Sequence, residues 1–352
     1  MKREINELNL LRAILCITIV LIHSMTSLAL KSDESLKALI QFLQLFLLFA
    51  TPSFIMLSEV ILSHAYKNHL PKNFFKKRIQ YILIPYIIFG IIDSIRFIAI
   101  GYHDDLFDSL WTKIIEGKWH GWFVIVIFKY YMIHYFCHQW LRKIPMYIPI
   151  ISTFIISMTH SILFFHVDQY LNFWILIYPF EMKTMVLWWL FYFVCAYYIG
   201  QHYEYFIMFI QQYLICIILL LLIAMLWITH NFYIEGITIV TSYRYDNIIF
   251  TVLIFMLLIF SLRMFSHRTS SGQYKVINHC FNYISNRSYY IYLSHFILLY
   301  FIQEILNPLI EWPILYVTTL CSMTIISTLL LYTLLEKLPY SELIIGKKKK
   351  SS

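Results

Sequence analysis

Two ionisable residues, Arg12 and His23, stand eleven positions apart in a stretch that is otherwise almost wholly apolar. At about 100° per residue this spacing returns to one helix face within roughly 20°, about 16 Å further along the axis. A guanidinium can grip phosphate or carboxylate groups through paired hydrogen bonds. An imidazole can take a proton from a hydroxyl nucleophile at neutral pH. One helical stripe would then carry an anion-binding group near one membrane surface and a general base deeper in. Each residue also has a plainer role, Arg12 as a snorkelling anchor and His23 as a hydrogen-bonded structural histidine. Cys16, on the same stripe, reads as a small apolar filler rather than an acyl carrier.

Other polar residues sit where apolar ones are expected. A charge at the centre of a spanning helix costs about 2.5–3.5 kcal/mol, so each is a functional candidate. Asp93 falls at about the depth of His23 and could orient its imidazole; a pairing with Arg96 one turn along is the alternative. Glu59 either faces Arg12 or reaches the headgroups. Lys129 needs a partner or a wet cavity, and with Glu59, His120 and His295 it is a candidate for lining a polar substrate path. His134 and His160 read as structural. The cluster Lys76-Lys77-Arg78 is either a topological signal or, with Lys77 and Arg78 joining Arg12, a grip for the phosphates of a coenzyme. Six cysteines are scattered singly, with no CxxC or His/Cys ligand spacing, so no disulfide framework and no metal site is expected. No phosphate-binding glycine loop is present, which argues against a pump driven by its own ATPase.

These residues must be positioned by membrane-spanning helices. Hydrophobic residues make up 60% of the 352-residue chain and charged residues 13%, well away from the usual soluble balance. A span needs about 20 mostly apolar residues, and open sheet cannot cross hydrocarbon. The expected fold is an all-α, polytopic transmembrane bundle of about ten spans, at 9–30, 38–63, 79–100, 121–139, 147–165, 184–200, 205–229, 247–264, 287–306 and 313–335. Segment 166–183 is expected as an outer, re-entrant loop, since its apolar part is too short to span. With both termini cytoplasmic, the inner segments hold 16 Lys or Arg and the outer ones six, while 11 acidic residues, Asp104, Asp105 and Asp108 among them, fall outside. The first apolar stretch is too long for a signal-peptide core and is expected to remain as an anchor. Residues 1–336 form one transmembrane domain. Residues 337–352 form a basic cytoplasmic tail whose Lys347–Lys350 run lies against anionic membrane lipid. The net charge of +8 reflects these inner-leaflet segments and not a nucleic-acid partner.

Arg12, ten residues and His23 resemble the first-span motif of the acyltransferase-3 family of membrane acyl transferases. Thr51–Ser58 (Thr-Pro-Ser-Phe-Ile-Met-Leu-Ser) is similar to its second-span segment, Arg78 to Pro85 to its third-span entry, and Trp119-His120-Gly121-Trp122-Phe123 to its fourth-span entry. Ser288–His295 (Ser-Tyr-Tyr-Ile-Tyr-Leu-Ser-His) is similar to its late YIYLxH stretch. The fragments fall in the family's order over essentially the whole chain. The family often carries a second arginine three residues after the first in the third-span entry, where this chain has Tyr81. The resemblance implies transfer of an acyl group, acetyl or succinyl, from a cytosolic acyl-coenzyme A to a sugar hydroxyl on the outer side. Arg12, with Arg78 and Lys77, would bind the donor, and His23 would act with Asp93. Chain size and the phrases Phe49-Ala50-Thr51-Pro52 and Tyr81–Tyr86 look like the branch of the family associated with export or O-succinylation of poly-β-1,6-N-acetylglucosamine, a biofilm polysaccharide. The implied setting is a bacterial cell membrane, with an extracellular or nascent polysaccharide acceptor and a polysaccharide-synthesising glycosyltransferase as partner. An exporter, with aromatic residues lining a glycan path, and a passive scaffold for a glycosyltransferase are the competing readings.

Overall fold

Hydrocarbon offers no water to the backbone, so each span must close its own hydrogen bonds, and the helix does so within one segment. The computed structural model describes residues 5–102, 105–268 and 275–347, and among them the chain is all-α, with no strand. Asp104 and Lys348–Lys350 lie outside the described residues. The helices are α1 (Asn6–Ala29), α2 (Glu34–Leu45), α3 (Ala50–Ala65), α4 (Phe74–Arg78), α5 (Ile84–Ala99), α6 (Leu106–Leu110), α7 (Trp122–Leu141), α8 (Tyr147–His166) and α9 (Asp168–Ile177). They continue as α10 (Leu190–Gln201), α11 (Tyr203–Gln212), α12 (Leu214–Tyr233), α13 (Asn247–Arg268), α14 (Lys275–Ser285), α15 (Ser288–Leu306), α16 (Pro313–Leu335) and α17 (Glu342–Ile345).

Among the described residues, eight stretches are long and apolar enough to cross a membrane: α1, Glu34–Ala65, Phe74–Ala99, α8, α12, the first twenty residues of α13, α15 and α16. The chain is a multi-pass membrane protein. The expected spans at 121–139 and 184–200 are not among the eight. α7 covers the first but carries Lys129, His134 and His138, and the second is broken into two 3₁₀ turns, Met182–Thr184 and Val186–Trp188, ahead of the twelve-residue α10. The span expected at 205–229 is shifted, because the helix is interrupted at Tyr213 and α12 starts afresh at Leu214. Segment 166–183 is not wholly loop, since α9 occupies ten of its residues.

α1 is the axis of the bundle and packs against α2, α3, α13, α14, α15 and α16. A helix enclosed on all sides is apolar all round, and Leu11, Ala13 and Leu15 are fully shielded. Two local features aim the neighbouring residues. Pro85 has no N–H to offer the carbonyl of Tyr81 and its ring crowds that turn. The backbone therefore widens into a π-helical turn over Ile79–Leu83, with the Ile84 N–H reaching back to the Ile79 carbonyl. The Tyr81 carbonyl faces Gly346, at φ 70°, where a Cβ would come within 2.7 Å of it. Within the stretch expected as a basic cytoplasmic tail, α17 packs against α5 and Ile345 is buried. The second feature is Gly121, where a Cβ would strike the Trp119 indole at 2.3 Å. That indole folds back to donate to the Tyr86 hydroxyl (3.2 Å), which donates to the carbonyls of Lys113 (3.1 Å) and Ile114 (3.0 Å).

Candidate functional site

Two cavities open on the Arg12–His23 stripe. The first, of about 310 Å³, is lined by Arg12, Ser58, Arg78, Tyr81, Tyr131 and Gly346, with Phe54, Phe123 and Tyr292 among its apolar walls. Arg78 leaves α4 just before the π-helical turn and lies over the rings of Tyr131 (4.7 Å) and Phe74 (4.9 Å). Its Nε is buried without a hydrogen-bond partner. A desolvated guanidinium N–H left unpaired is costly, and an anionic oxygen in the cavity would satisfy it. Arg12 and Arg78 thus put two guanidiniums in one cavity, and Tyr81, where the family often carries a second arginine, stands in its wall. Lys77 is a correction to expectation: it is exposed on α4 and does not line this cavity.

The second cavity, of about 380 Å³, is lined by His23, Gln44, Trp122, Lys183, Trp189 and Tyr243, with further hydroxyl and amide side chains. Gln44 fixes α2 to α1 by donating to the Ile22 carbonyl (2.9 Å) and the Thr26 hydroxyl (2.8 Å). Trp122 and Trp189 stack at 5.8 Å with 20° between planes, and the Trp189 indole donates to the Lys183 carbonyl (2.8 Å). Aromatic faces next to amides, hydroxyls and an ammonium suit a sugar, which has apolar faces and a polar rim. The loop carrying Tyr243 is pinned from beneath. Arg244 pairs with Asp246 (Nε to Oδ1 2.9 Å, Nη2 to Oδ2 2.5 Å) and donates to the Ile237 carbonyl (2.6 Å), and Asn231 donates to Asp246 (2.9 Å).

Between the cavities lie rings. Phe123 meets Phe54 (6.2 Å) and Tyr292 (5.6 Å), and behind them His23, His120 and His295 gather around Phe296. The His23 and His295 centroids are 5.3 Å apart, and those of His120 and His295 5.6 Å. His120 Nε2 donates to the Leu293 carbonyl at 2.9 Å, and the Tyr292 hydroxyl donates to the His120 carbonyl. No group of three or more ligand-type side chains among the described residues is arranged to hold a metal ion.

The structure separates other candidates from this centre. Asp93 is not paired with His23. Arg96 donates to its Oδ1 through Nε (2.9 Å) and Nη2 (2.7 Å), and Lys113 reaches its Oδ2. The alternative pairing with Arg96 holds because the two residues lie one turn apart, and Lys113, unnoticed in the sequence, completes the cluster. Glu59 is buried against His134, whose Nδ1 lies 2.6 Å from Glu59 Oε1. His134 stacks on His138 (5.0 Å, 13°), which meets the Tyr197 hydroxyl at 3.2 Å. Lys129 lines neither cavity. It donates to the Tyr178 hydroxyl (3.0 Å) and the Thr184 carbonyl (2.8 Å), holding the segment that presents Lys183. Sequence reasoning missed the Trp122–Trp189 pair and the Arg244–Asp246 clamp. The clamp had a signal, two opposite charges two positions apart at the entry to a span.

Comparison with known proteins places the chain among relatives. A family model described as an acyltransferase domain matches residues 5–333. The probable poly-β-1,6-N-acetyl-D-glucosamine export protein of Staphylococcus aureus (strain MSSA476) is 30% identical over 236 residues, 62% of this chain and 63% of that protein. Its Staphylococcus epidermidis counterpart is 30% identical over 233 residues, 63% of each chain. The aligned stretch thus spans somewhat under two thirds of these relatives. No solved structure matches. A family match over residues 5–333, almost the full chain, means that the chain belongs to the acyltransferase-3 family.

Proposed function

We propose that the chain is a membrane-bound O-acyltransferase that transfers an acetyl or succinyl group from acyl-coenzyme A to a hydroxyl of a cell-surface or biofilm polysaccharide such as poly-β-1,6-N-acetylglucosamine. The observation that carries this reading is the pair of cavities on one face of α1, one with Arg12 and Arg78, the other with His23 beside stacked indoles. The two guanidiniums bind donor phosphates, and the thioester end reaches toward the ring partition. The glycan lies on Trp122 and Trp189 with one hydroxyl at His23, which removes its proton as the oxygen attacks the acyl carbon. In the bacterial cell membrane, with ten crossings and both termini inside, the Arg12 cavity faces the cytosol and the His23 cavity faces outward. α7 and the 184–201 stretch supply the two crossings beyond the eight. In membranes given labelled acyl-coenzyme A and acceptor glycan, His23→Ala abolishes transfer while the protein stays inserted; full activity in that variant refutes the mechanism.

A second reading, an exporter of the same polysaccharide, is favoured by the export name that the staphylococcal relatives carry. Cells carrying His23→Ala discriminate the two. Continued release of unacylated glycan supports the enzyme, and cytosolic retention of normally acylated glycan supports the exporter.

A further inference from the structure

Acyl transfer between the two cavities, on which the role of His295 rests, leaves a proton to be moved. It leaves the acceptor hydroxyl at His23, in one cavity, and must end on the sulfur of a donor held from the other. Tyr292 lines the donor cavity, but its hydroxyl already donates to the His120 carbonyl. His120 is also committed: Nε2 donates to Leu293, and the ring is stacked on Phe296 (5.1 Å) and edge-on to Trp119 (4.6 Å). His295 is different. Its Nδ1 lies 2.6 Å from the Tyr292 carbonyl and 3.1 Å from the Ile291 carbonyl, so Nδ1 carries the hydrogen and Nε2 carries the lone pair. Nε2 is fully buried and has no partner. The His295 ring centroid lies 5.3 Å from that of His23, 5.6 Å from that of His120 and 5.9 Å from that of Tyr292, the last of these a wall of the donor cavity.

We infer that His295 is the second catalytic residue of this site, the group that receives the proton from His23 and delivers it to the departing thiolate. The hydroxyl oxygen forms its bond to the acyl carbon while its proton passes to one nitrogen of His23. With both substrates bound the 5.3 Å ring contact tightens to hydrogen-bond reach, and His23 releases the proton of its other nitrogen to Nε2 of His295. The carbon–sulfur bond breaks, the sulfur keeps the electron pair, and His295 returns the proton to it as the free thiol forms. Both imidazoles end neutral, as they began, and no further reactant is consumed. The backbone carbonyls serve this cycle by holding His295 in one tautomer, with Nε2 as its accepting nitrogen.

The test compares two donors in proteoliposomes holding the full chain. One is acyl-coenzyme A, an alkyl thioester. The other is the nitrophenyl thioester of the same acyl group, whose thiolate leaves without protonation. His295→Gln keeps an amide donor for the helix carbonyls and lacks a proton acceptor. Turnover from acyl-coenzyme A is expected to fall about a hundredfold or more, and turnover from the aryl thioester less than tenfold, whereas His23→Gln loses both. An equal loss with the two donors, or wild-type turnover with acyl-coenzyme A, overturns the assignment and shows a structural histidine. His295→Asn is carried in parallel, so that a poorly inserted His295→Gln does not decide the outcome. If the wild-type chain transfers no acyl group from either donor, the acyltransferase reading itself falls, a result distinct from any pattern among the variants.

Discussion

Replacing Arg78 by Gln removes a guanidinium whose Nε is buried without a partner in a cavity that also holds Arg12. A hydrogen bond to a charged group contributes about 1.5–3 kcal/mol, which at 1.4 kcal/mol per decade is roughly a 10- to 150-fold rise in the KM for acyl-coenzyme A. kcat should change little, since Arg78 lies in the cavity away from the histidine trio. Arg12→Gln should behave alike. If the two arginines hold separate phosphates the double variant is additive, and if they share one it falls short of additive. The assay is the initial rate of labelled acyl transfer in proteoliposomes against donor concentration, run also with acyl-pantetheine, which has no phosphate. With that donor the wild-type and Arg78→Gln proteins should have the same KM. A loss of equal size with the phosphate-free donor would refute the assignment and leave Arg78 as a packing residue over Phe74 and Tyr131.

The same geometry bears on residues outside the donor cavity. Glu59→Ala leaves His134 buried without its carboxylate and should destabilise by about 3–5 kcal/mol, whereas Glu59→Gln keeps an acceptor and should cost about 1 kcal/mol. Thermal unfolding read by a dye for buried thiols, with Cys16 and Cys321 as reporters, separates the two; equal losses would contradict the pairing. Asp93→Asn leaves Arg96 and Lys113 facing each other without a counter-charge, so its primary effect should be lower stability of the inserted protein. A fully stable Asp93→Asn protein that is inactive would restore the discarded His23 pairing. Trp122→Ala removes half of a stacked indole pair and should raise acceptor KM roughly 2- to 13-fold, from about 0.5–1.5 kcal/mol of aromatic contact, with donor KM unchanged. Cys280, exposed on α14 in a segment read as inner, should escape a membrane-impermeant maleimide in intact cells when it is the sole cysteine; labelling from outside would reverse the orientation.

The sequence carried the spans where apolarity alone decides, as in α1, α8, α13, α15 and α16, because length and hydropathy are summed properties. It failed where tertiary context broke a helix. Nothing in the residues around Tyr213 announces that break, and the turns before α10 exist because Trp188 and Trp189 fold back onto the carbonyls of Met182 and Lys183. For the site, the Arg12–His23 stripe was legible because both residues share one helix and its periodicity. Arg78 was legible as a charge at a span entry. Partners on different helices were not: Glu59 and His134 meet at 75 positions' separation, and Asp93 and Lys113 at 20. Each demanded a partner by its burial, and only the packing of α3 on α7, and of α5 on the turn over Trp111–Ile115, says which.

The central claim is that His23 stands at the reacting hydroxyl between a donor cavity and an acceptor cavity. Its most direct test is labelled acyl transfer from acyl-coenzyme A to glycan by His23→Ala in proteoliposomes, with insertion verified and donor binding measured in the same preparation. Donor binding equal to wild type, with transfer lost by about a hundredfold or more, is the result predicted. Transfer at the wild-type rate would contradict the account.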